Sequence, residues 1–159
     1  MIRILGLMMA TMLLLQSCGG SKKAVATGDD KPEAQKVQTE NIHFYTGGTL
    51  TEVIDRAKKE DKLVFLYLTA SWCAPCKFME EEVYTYPPLY NMINENFISY
   101  ELDIDNTNGA DIAFLYNVKT VPGLVFLDTK GRMLVKKEGS LGKKKFMDLA
   151  QKALDKNKR

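Results

Sequence analysis

Residues 62–69, KLVFLYLT, form a nearly continuous apolar run that limits the possible folds more than any other segment of the chain. A strand with one solvated face alternates apolar and polar side chains, whereas a strand covered on both faces is apolar throughout. The run therefore predicts a buried strand. Other parts of the chain must then cover both faces of the sheet at this strand.

Segments on either side of this strand have the signatures of further helices and strands. Thr49-Leu50-Thr51-Glu52 is a capping box that opens a helix with an apolar face. A second helix is expected from Ala74 towards Val83, and a third begins at Pro87-Pro88. The remaining predictions are strands at 97–105, 124–128 and 133–137, a short helix at 110–116 and a closing helix at 143–154. Because helices and strands alternate first and a hairpin follows, we predict an α/β fold with a mixed sheet.

Composition excludes several classes of protein. The 159 residues include 22 basic and 20 acidic side chains, so the charge gives no indication of nucleic-acid binding. Three cysteines are too few for a disulfide-stapled mini-protein, and one histidine is too few for most histidine-based metal sites. The chain is not uniform, however, because every aromatic residue lies at or beyond Phe44.

The first 17 residues have the pattern of a signal peptide. Arg3 precedes an apolar run at 4–15, which is shorter than the roughly 20 residues of a membrane-spanning helix but suits a signal-peptide h-region. The run is followed by Leu15-Gln16-Ser17-Cys18, which resembles a bacterial lipobox, with Cys18 as the lipidated residue. A secreted protein with an unrelated cysteine, or an uncleaved anchor, is the alternative. Each interpretation takes the chain out of the cytoplasm.

Residues 18–40 are predicted to form a flexible tether. The segment from Gly19 to Glu40 has two valines and no aromatic residue, so it cannot bury enough apolar surface to offset the entropy of ordering. A coil of this length reaches roughly 25 Å. An extension of the folded domain is the alternative. In either case the main folded domain is expected at residues 41–159.

Trp72-Cys73-Ala74-Pro75-Cys76 lies directly after the buried strand and directly before a predicted helix. A helix N-terminus directs unpaired N–H groups and partial positive charge at Cys73, which favours the reactive thiolate. Cys76 is near enough to resolve a mixed disulfide. Pro75 suits the first helical turn, where a missing N–H costs little.

Metal and structural alternatives explain these cysteines less well. Zinc needs four ligands, and the chain has no second cysteine pair. Copper delivery would need a histidine or methionine nearby, and no motif places one there; the single histidine, His43, is expected at the surface or at a strand edge. A disulfide across two residues closes so small a loop that it would stabilise the fold little. We expect no metal and no cofactor.

WCAPC after the strand, together with Thr120-Val121-Pro122-Gly123 before a later strand, resembles the thioredoxin superfamily over residues 49–154. The spacing is most similar to the periplasmic C-terminal domain of the transmembrane thiol:disulfide interchange protein. The resemblance implies a thioredoxin fold, with a central mixed sheet and helices on both faces. It also implies that Cys73 attacks the substrate disulfide and Cys76 resolves the intermediate.

The same resemblance implies the residues that would contact substrate. Pro122 is then a cis-proline beside the cysteines, where an ordinary trans proline is the alternative. Val121 would offer its backbone to a substrate strand, and Trp72 and Pro75 would flank the thiols.

The chain departs from the family pattern at two positions. Many thioredoxins have a buried aspartate six residues before the first cysteine, where this chain has Tyr67, and the lysine that often accompanies it corresponds to Glu101. Our hypothesis is that Glu101 accepts the proton of Cys76, with a pKa raised by burial. The alternative is a solvent-facing Glu101, with water as the acceptor.

Two runs of charge have a simpler interpretation than binding sites. Glu80-Glu81-Glu82 and Lys143-Lys144-Lys145 are expected to be solvated helix faces.

These observations predict an extracytoplasmic thiol:disulfide oxidoreductase in the cell envelope of a bacterium, anchored by lipid and facing the periplasm. Its expected partners are protein disulfides and a membrane electron donor. Ala74-Pro75 between the cysteines resembles the reducing members of the superfamily. The alternatives are a disulfide-forming oxidant and a tethered binding module with vestigial cysteines.

Overall fold

The computed structural model of the protein describes residues 40–159. The predictions of a signal peptide at 1–17 and a lipidated Cys18, and all but the last residue of the tether, lie outside this range. The elements are β1 (Phe44–Tyr45), α1 (Leu50–Lys59), β2 (Leu63–Thr69), α2 (Ala74–Phe78), α3 (Pro87–Asn96), β3 (Phe97–Asp103), α4 (Thr107–Leu115), β4 (Gly123–Leu127), β5 (Met133–Glu138) and α5 (Lys143–Asn157). A π-helical segment, Met79–Val83, continues α2. Within the described range, no helix has the length and apolarity needed to cross a membrane.

The five strands form one mixed sheet in the order β1-β3-β2-β4-β5. Strands β1 and β2 both pair with β3 in parallel, whereas β4 pairs antiparallel with β2 and with β5. Every residue of β2 is buried. The mixed α/β sheet predicted from the sequence is confirmed.

Two apolar cores cover the two faces of the sheet, which explains the unbroken apolar run of β2. Phe65 and Tyr67 belong to the core beneath α2, α3 and α5, which also contains both cysteines of the WCAPC motif. Val64, Leu66 and Leu68 belong to the core beneath α1 and α4. Alternate side chains of a strand point to opposite faces, so both sets must be apolar.

Helix α1 begins at the predicted capping box. The Thr49 backbone N–H donates to Glu52 Oε2 at 2.7 Å, and the Glu52 backbone N–H donates to Thr49 Oγ1 at 3.3 Å. These two bonds satisfy donors that the first helical turn leaves free.

The structure differs from the sequence predictions at several points, among them one unpredicted strand and the limits of β3 and α4. Strand β1 was not predicted, because two residues are too few to show an alternating pattern. Strand β3 ends at Asp103 rather than at residue 105, since the Asp105 N–H bonds to Asp103 Oδ1 at 2.9 Å and turns the chain out of the sheet. Helix α4 begins at Thr107, inside the segment that was expected to precede it, and contains Gly109.

Candidate active site

Cys73 and Cys76 form a disulfide at the start of α2. Their Cα atoms are 5.2 Å apart, and the two residues are 2% and 1% exposed. Cys73 is the N-cap of α2, and the backbone N–H of Cys76 donates to Cys73 Sγ at 3.2 Å. Strand β2 ends at Thr69, so the chain reaches this position through a short connection directly from the sheet.

This arrangement favours a negative charge on Cys73 once the disulfide is reduced. An N–H group aimed at the sulfur and the positive end of the helix both stabilise a thiolate. Pro75 lies in the first turn of α2, where no intrahelical N–H bond is lost. Ala74 and Pro75 are exposed, whereas the cysteines between which they lie are buried.

The Val121–Pro122 peptide bond is cis and lies directly before β4. Gly123 pairs with Leu68 near the end of β2, so this bond and the connection to Cys73 lie at the same end of the sheet. Val121 is half-buried and packs against the core that contains both cysteines. The Val121 backbone therefore lies at the end of the sheet from which the chain continues to the predicted thiols.

Trp72 lies beside the disulfide and is 65% exposed. Its indole N–H donates to Asp105 Oδ2 at 2.9 Å. The loop after β3 thus fixes the ring although most of it faces solvent. The sequence analysis missed Asp105, because the bond joins residues 33 positions apart.

Tyr67 occupies the position where many thioredoxins have a buried aspartate. Its hydroxyl donates to Glu80 Oε1 at 2.9 Å and lies 3.3 Å from the carbonyl oxygen of Cys76. Burial, together with the nearby carboxylates of Glu80 and Glu101, raises the pKa of Tyr67 far above its ordinary value, so the hydroxyl stays protonated.

Glu80 was interpreted above as part of a solvated helix face, and for this residue the interpretation is wrong. Glu81 and Glu82 are exposed, but Glu80 is half-buried and accepts the bond from Tyr67. A signal was available, since Glu80 lies four residues after Cys76 and residues at that spacing share a helix face.

Glu101 pairs with Tyr67 across β2 and β3 and points to the same face of the sheet. It lines a pocket of about 210 Å³ together with Thr69, Ala70, Ser71, Lys77, Glu80 and Asp103. Partial burial is the main reason why the pKa of Glu101 lies above its ordinary value, and the negative charges of Glu80 and Asp103 raise it further. The group that lies near the Cys76 carbonyl is the Tyr67 hydroxyl.

Within residues 40–159, no group of three or more histidine, cysteine, aspartate or glutamate side chains is arranged to hold a metal ion. His43 is exposed and directly precedes the edge strand β1, as expected. Its backbone N–H donates to Asn94 Oδ1 at 2.9 Å.

The chain is similar in sequence to parts of two longer proteins. The chain is 32% identical over 91 residues to the TPR repeat-containing thioredoxin TDX of Arabidopsis thaliana, a match that covers 55% of this chain and 22% of that protein. It is 26% identical over 144 residues to the thiol:disulfide interchange protein DsbD of Pseudomonas fluorescens, which covers 81% of this chain. The match spans only 25% of that DsbD.

Two solved structures share the fold. A thioredoxin from Thermus thermophilus superposes with a TM-score of 0.64 at 20% identity, over 72% of this chain and 88% of that one. The oxidised C-terminal domain of DsbD from Neisseria meningitidis superposes with a TM-score of 0.55 at 20% identity, over 64% of this chain and 90% of that one.

The family model for the thioredoxin-like domain matches residues 50–154, which is more than half of the chain. This range includes the buried strand, the Cys73–Cys76 disulfide and the cis peptide bond. The chain therefore belongs to the thioredoxin-like domain family.

Proposed function

We propose that the protein is an extracytoplasmic enzyme that reduces protein disulfides through Cys73 and Cys76. The observation that supports this most strongly is the buried disulfide at the N-terminus of α2, with the Cys76 N–H directed at Cys73 Sγ. A disulfide that closes so short a loop contributes little to stability, which favours a redox role over a structural one.

The reaction begins with the reduced enzyme. The Cys73 thiolate attacks one sulfur of the substrate disulfide, forms a mixed disulfide and releases the other substrate sulfur as a thiolate. Cys76 loses its proton and attacks Cys73 Sγ, which releases the second substrate thiolate. The substrate gains two electrons and the enzyme is left with its disulfide. A further dithiol must then return the enzyme to the reduced form.

Substrate is proposed to bind along the backbone of Val121. An extended segment that pairs with this edge would place its cysteine over Cys73, in the manner of strand addition to a sheet. Trp72 and Pro75 would contact the same segment on the other side, since both are exposed beside the disulfide. Pro122 follows Val121 directly, through the cis peptide bond.

Glu101 is proposed to accept the Cys76 proton. Its pKa is raised above the ordinary value of a glutamate, which makes it a better proton acceptor than an exposed carboxylate, and it lines the pocket beside α2. Glu101→Gln is expected to slow the resolution of the mixed disulfide, whereas Glu82→Gln, which removes an exposed carboxylate, provides the matched control. If both variants resolve it at the wild-type rate, Glu101 is not the acceptor.

The direction of electron flow is proposed from the residues between the cysteines. The pair is Ala74-Pro75, without the histidine that stabilises the reduced thiolate of strong oxidants. We therefore expect a reduction potential nearer the roughly −270 mV of thioredoxin than the roughly −120 mV of a strong oxidant. Outside the cytoplasm such an enzyme needs a membrane partner that supplies electrons, as expected from the similarity to DsbD.

The location is proposed from the N-terminal segment. Lipidation of Cys18 would anchor the chain to a membrane of the bacterial envelope, and the tether would hold the domain in the periplasm. Cys18→Ser is expected to release the protein from the membrane fraction. A Cys18→Ser protein that remains membrane-bound would rule out the lipid anchor.

Equilibration of the full-length protein in graded thiol–disulfide buffers tests the redox function. The midpoint of the Cys73–Cys76 couple is measured by alkylation and mass shift, with Cys73→Ser as the control that cannot form the disulfide. A midpoint near that of thioredoxin supports the reductase. A midpoint near that of the strong oxidants indicates a disulfide-forming enzyme, and the absence of a reversible couple rules out both.

A further inference from the structure

The connection from α4 to Val121 is held by side chains of the edge strand β5. Glu138 Oε2 accepts hydrogen bonds from the backbone N–H of Lys119 at 3.0 Å and of Thr120 at 2.9 Å. It also accepts from Thr120 Oγ1 at 3.1 Å. One carboxylate oxygen therefore binds three donors on the two residues that precede Val121.

Lys136 holds the beginning of the same connection. Its Nζ donates to the carbonyl oxygens of Tyr116, at 3.3 Å, and of Asn117. Lys136 Nζ also lies 3.3 Å from Glu138 Oε1, and the two side chains are 22% and 26% exposed. Residues two apart on a strand share a face, so β5 presents a cation to the first carbonyls and an anion to the later N–H groups.

The residue after Glu138 fastens the far side of Val121. The Gly139 N–H donates to the carbonyl oxygen of Pro122 at 2.9 Å. Val121 therefore lies between two points that are both attached to the end of β5. Lys137 is exposed on the opposite face of the strand.

The charge state of Glu138 suits this arrangement. Desolvation would by itself raise the pKa of Glu138, but hydrogen bonds from the Lys119 N–H, Lys136 and Thr120 hold it below its ordinary value. Lys136 is the charged group that faces the carboxylate from β5, and the backbone of Lys119 faces it from the connection. The carboxylate is therefore ionised, and stays an acceptor, near neutral pH.

We propose that Glu138 is a positioning residue that holds the backbone of Val121 in place for pairing with a substrate strand. The inference rests on the proposed reduction of protein disulfides. A connection that is already ordered loses less conformational entropy when substrate binds. Substrate therefore binds more tightly when hydrogen bonds hold the backbone next to Val121 in place than when that backbone is free to move. Glu138 makes its hydrogen bonds to residues 119 and 120, and its effect on substrate binding passes through them.

A comparison of a protein substrate with a small disulfide distinguishes a role of Glu138 in substrate binding from a general contribution to the stability of the fold. A protein disulfide would use the Val121 backbone for binding, whereas a small disulfide has no strand to pair with it. Loss of Glu138 should therefore weaken the reaction with a protein and leave the reaction with a small disulfide unchanged.

The experiment compares full-length wild type with Glu138→Ala, using insulin and bis(2-hydroxyethyl) disulfide as substrates and dithiothreitol as the electron source. For insulin, Glu138→Ala is expected to raise KM about tenfold and to leave kcat within about twofold. The rate with the small disulfide should match that of wild type. Glu138→Gln retains an acceptor oxygen and should raise KM less, and it also serves if the alanine variant fails to fold.

Lys137→Ala is the matched control, because it alters the same strand on its opposite face and should leave both substrates unaffected. An unchanged KM for insulin in both Glu138 variants would overturn the proposal. Equal slowing of insulin and of the small disulfide would also overturn it, since that pattern indicates a damaged fold. A wild-type protein that reduces neither substrate would instead refute the proposed function, and the inference with it.

Discussion

Gly109→Ala is expected to destabilise the protein even though the residue lies inside α4. Alanine is a better helix former than glycine by about 1 kcal/mol, so helix propensity alone predicts stabilisation. The tertiary structure predicts the opposite sign. Gly109 is buried where α4 meets the end of β3, and a Cβ atom at this position would stand 2.0 Å from the carbonyl oxygen of Asp103.

The magnitude follows from that contact. The same Cβ would also stand 2.6 Å from the Asp103 carbonyl carbon and 3.1 Å from Ile104 Cα, and all three atoms belong to the backbone. No side-chain rotation relieves the clash, so α4 and β3 must separate by about 1.4 Å to restore ordinary contact. Overpacking of this kind costs about 3 kcal/mol, and the helix propensity of alanine reduces the net loss to about 2 kcal/mol.

Urea denaturation of the full-length oxidised protein measures this loss. Trp72 is the only tryptophan, so its fluorescence reports the transition. A loss of about 2 kcal/mol should lower the midpoint by about 1–2 M urea. Gly47→Ala is the matched control, because no atom lies within 4 Å of its Cβ position, and it should stay within about 0.5 kcal/mol of wild type. A midpoint for Gly109→Ala at or above that of wild type would refute the reasoning.

Three further variants test the surroundings of the disulfide. Glu101→Gln should match wild type below the ordinary glutamate pKa of 4.5 and should be more stable near neutral pH. The reason is that wild type loses stability as the pH rises through the raised pKa of the folded state, and equal stability in urea at both pH values would contradict it. Tyr67→Phe removes the donor to Glu80 and should lower the free energy of unfolding by about 1–2 kcal/mol; a loss below about 0.5 kcal/mol in urea would argue against a contributing bond. Asp105→Ala releases the Trp72 indole and should increase its quenching by acrylamide, with a loss of stability of about 0.5–1 kcal/mol, whereas unchanged quenching would show that other contacts hold the ring.

Much of the fold was predictable because its signals are local. The apolar run at 62–69 identified β2, and the capping box at Thr49 identified the start of α1. The position of Cys73 at the start of a helix followed from the strand that ends just before it and from Pro75. Strand β1 escaped prediction because only its pairing with β3 defines it.

The surroundings of the disulfide were less predictable. The prediction of a solvated face at residues 80–82 is correct for Glu81 and Glu82. Glu80 instead points inward, because its carboxylate accepts a hydrogen bond from the buried Tyr67 hydroxyl. That hydroxyl occupies a position where the family pattern led us to look for an acid. The pattern showed that the aspartate was missing, but not which group would approach Cys76 in its place.

The sequence by itself determined the buried strand, the order of the helices and of the strands after β1, and the placement of two cysteines at a helix start, since each depends on residues within about one helical turn or one strand. Only the tertiary structure decided which distant groups meet them. Trp72 donates a hydrogen bond to Asp105, which is 33 residues away in sequence, and Glu138 accepts one from Thr120, which is 18 residues away. Such hydrogen bonds depend on strand order, on register and on the path of each loop. Strand order, register and loop paths follow from how the whole chain packs, so they cannot be predicted from the periodicity of a single segment.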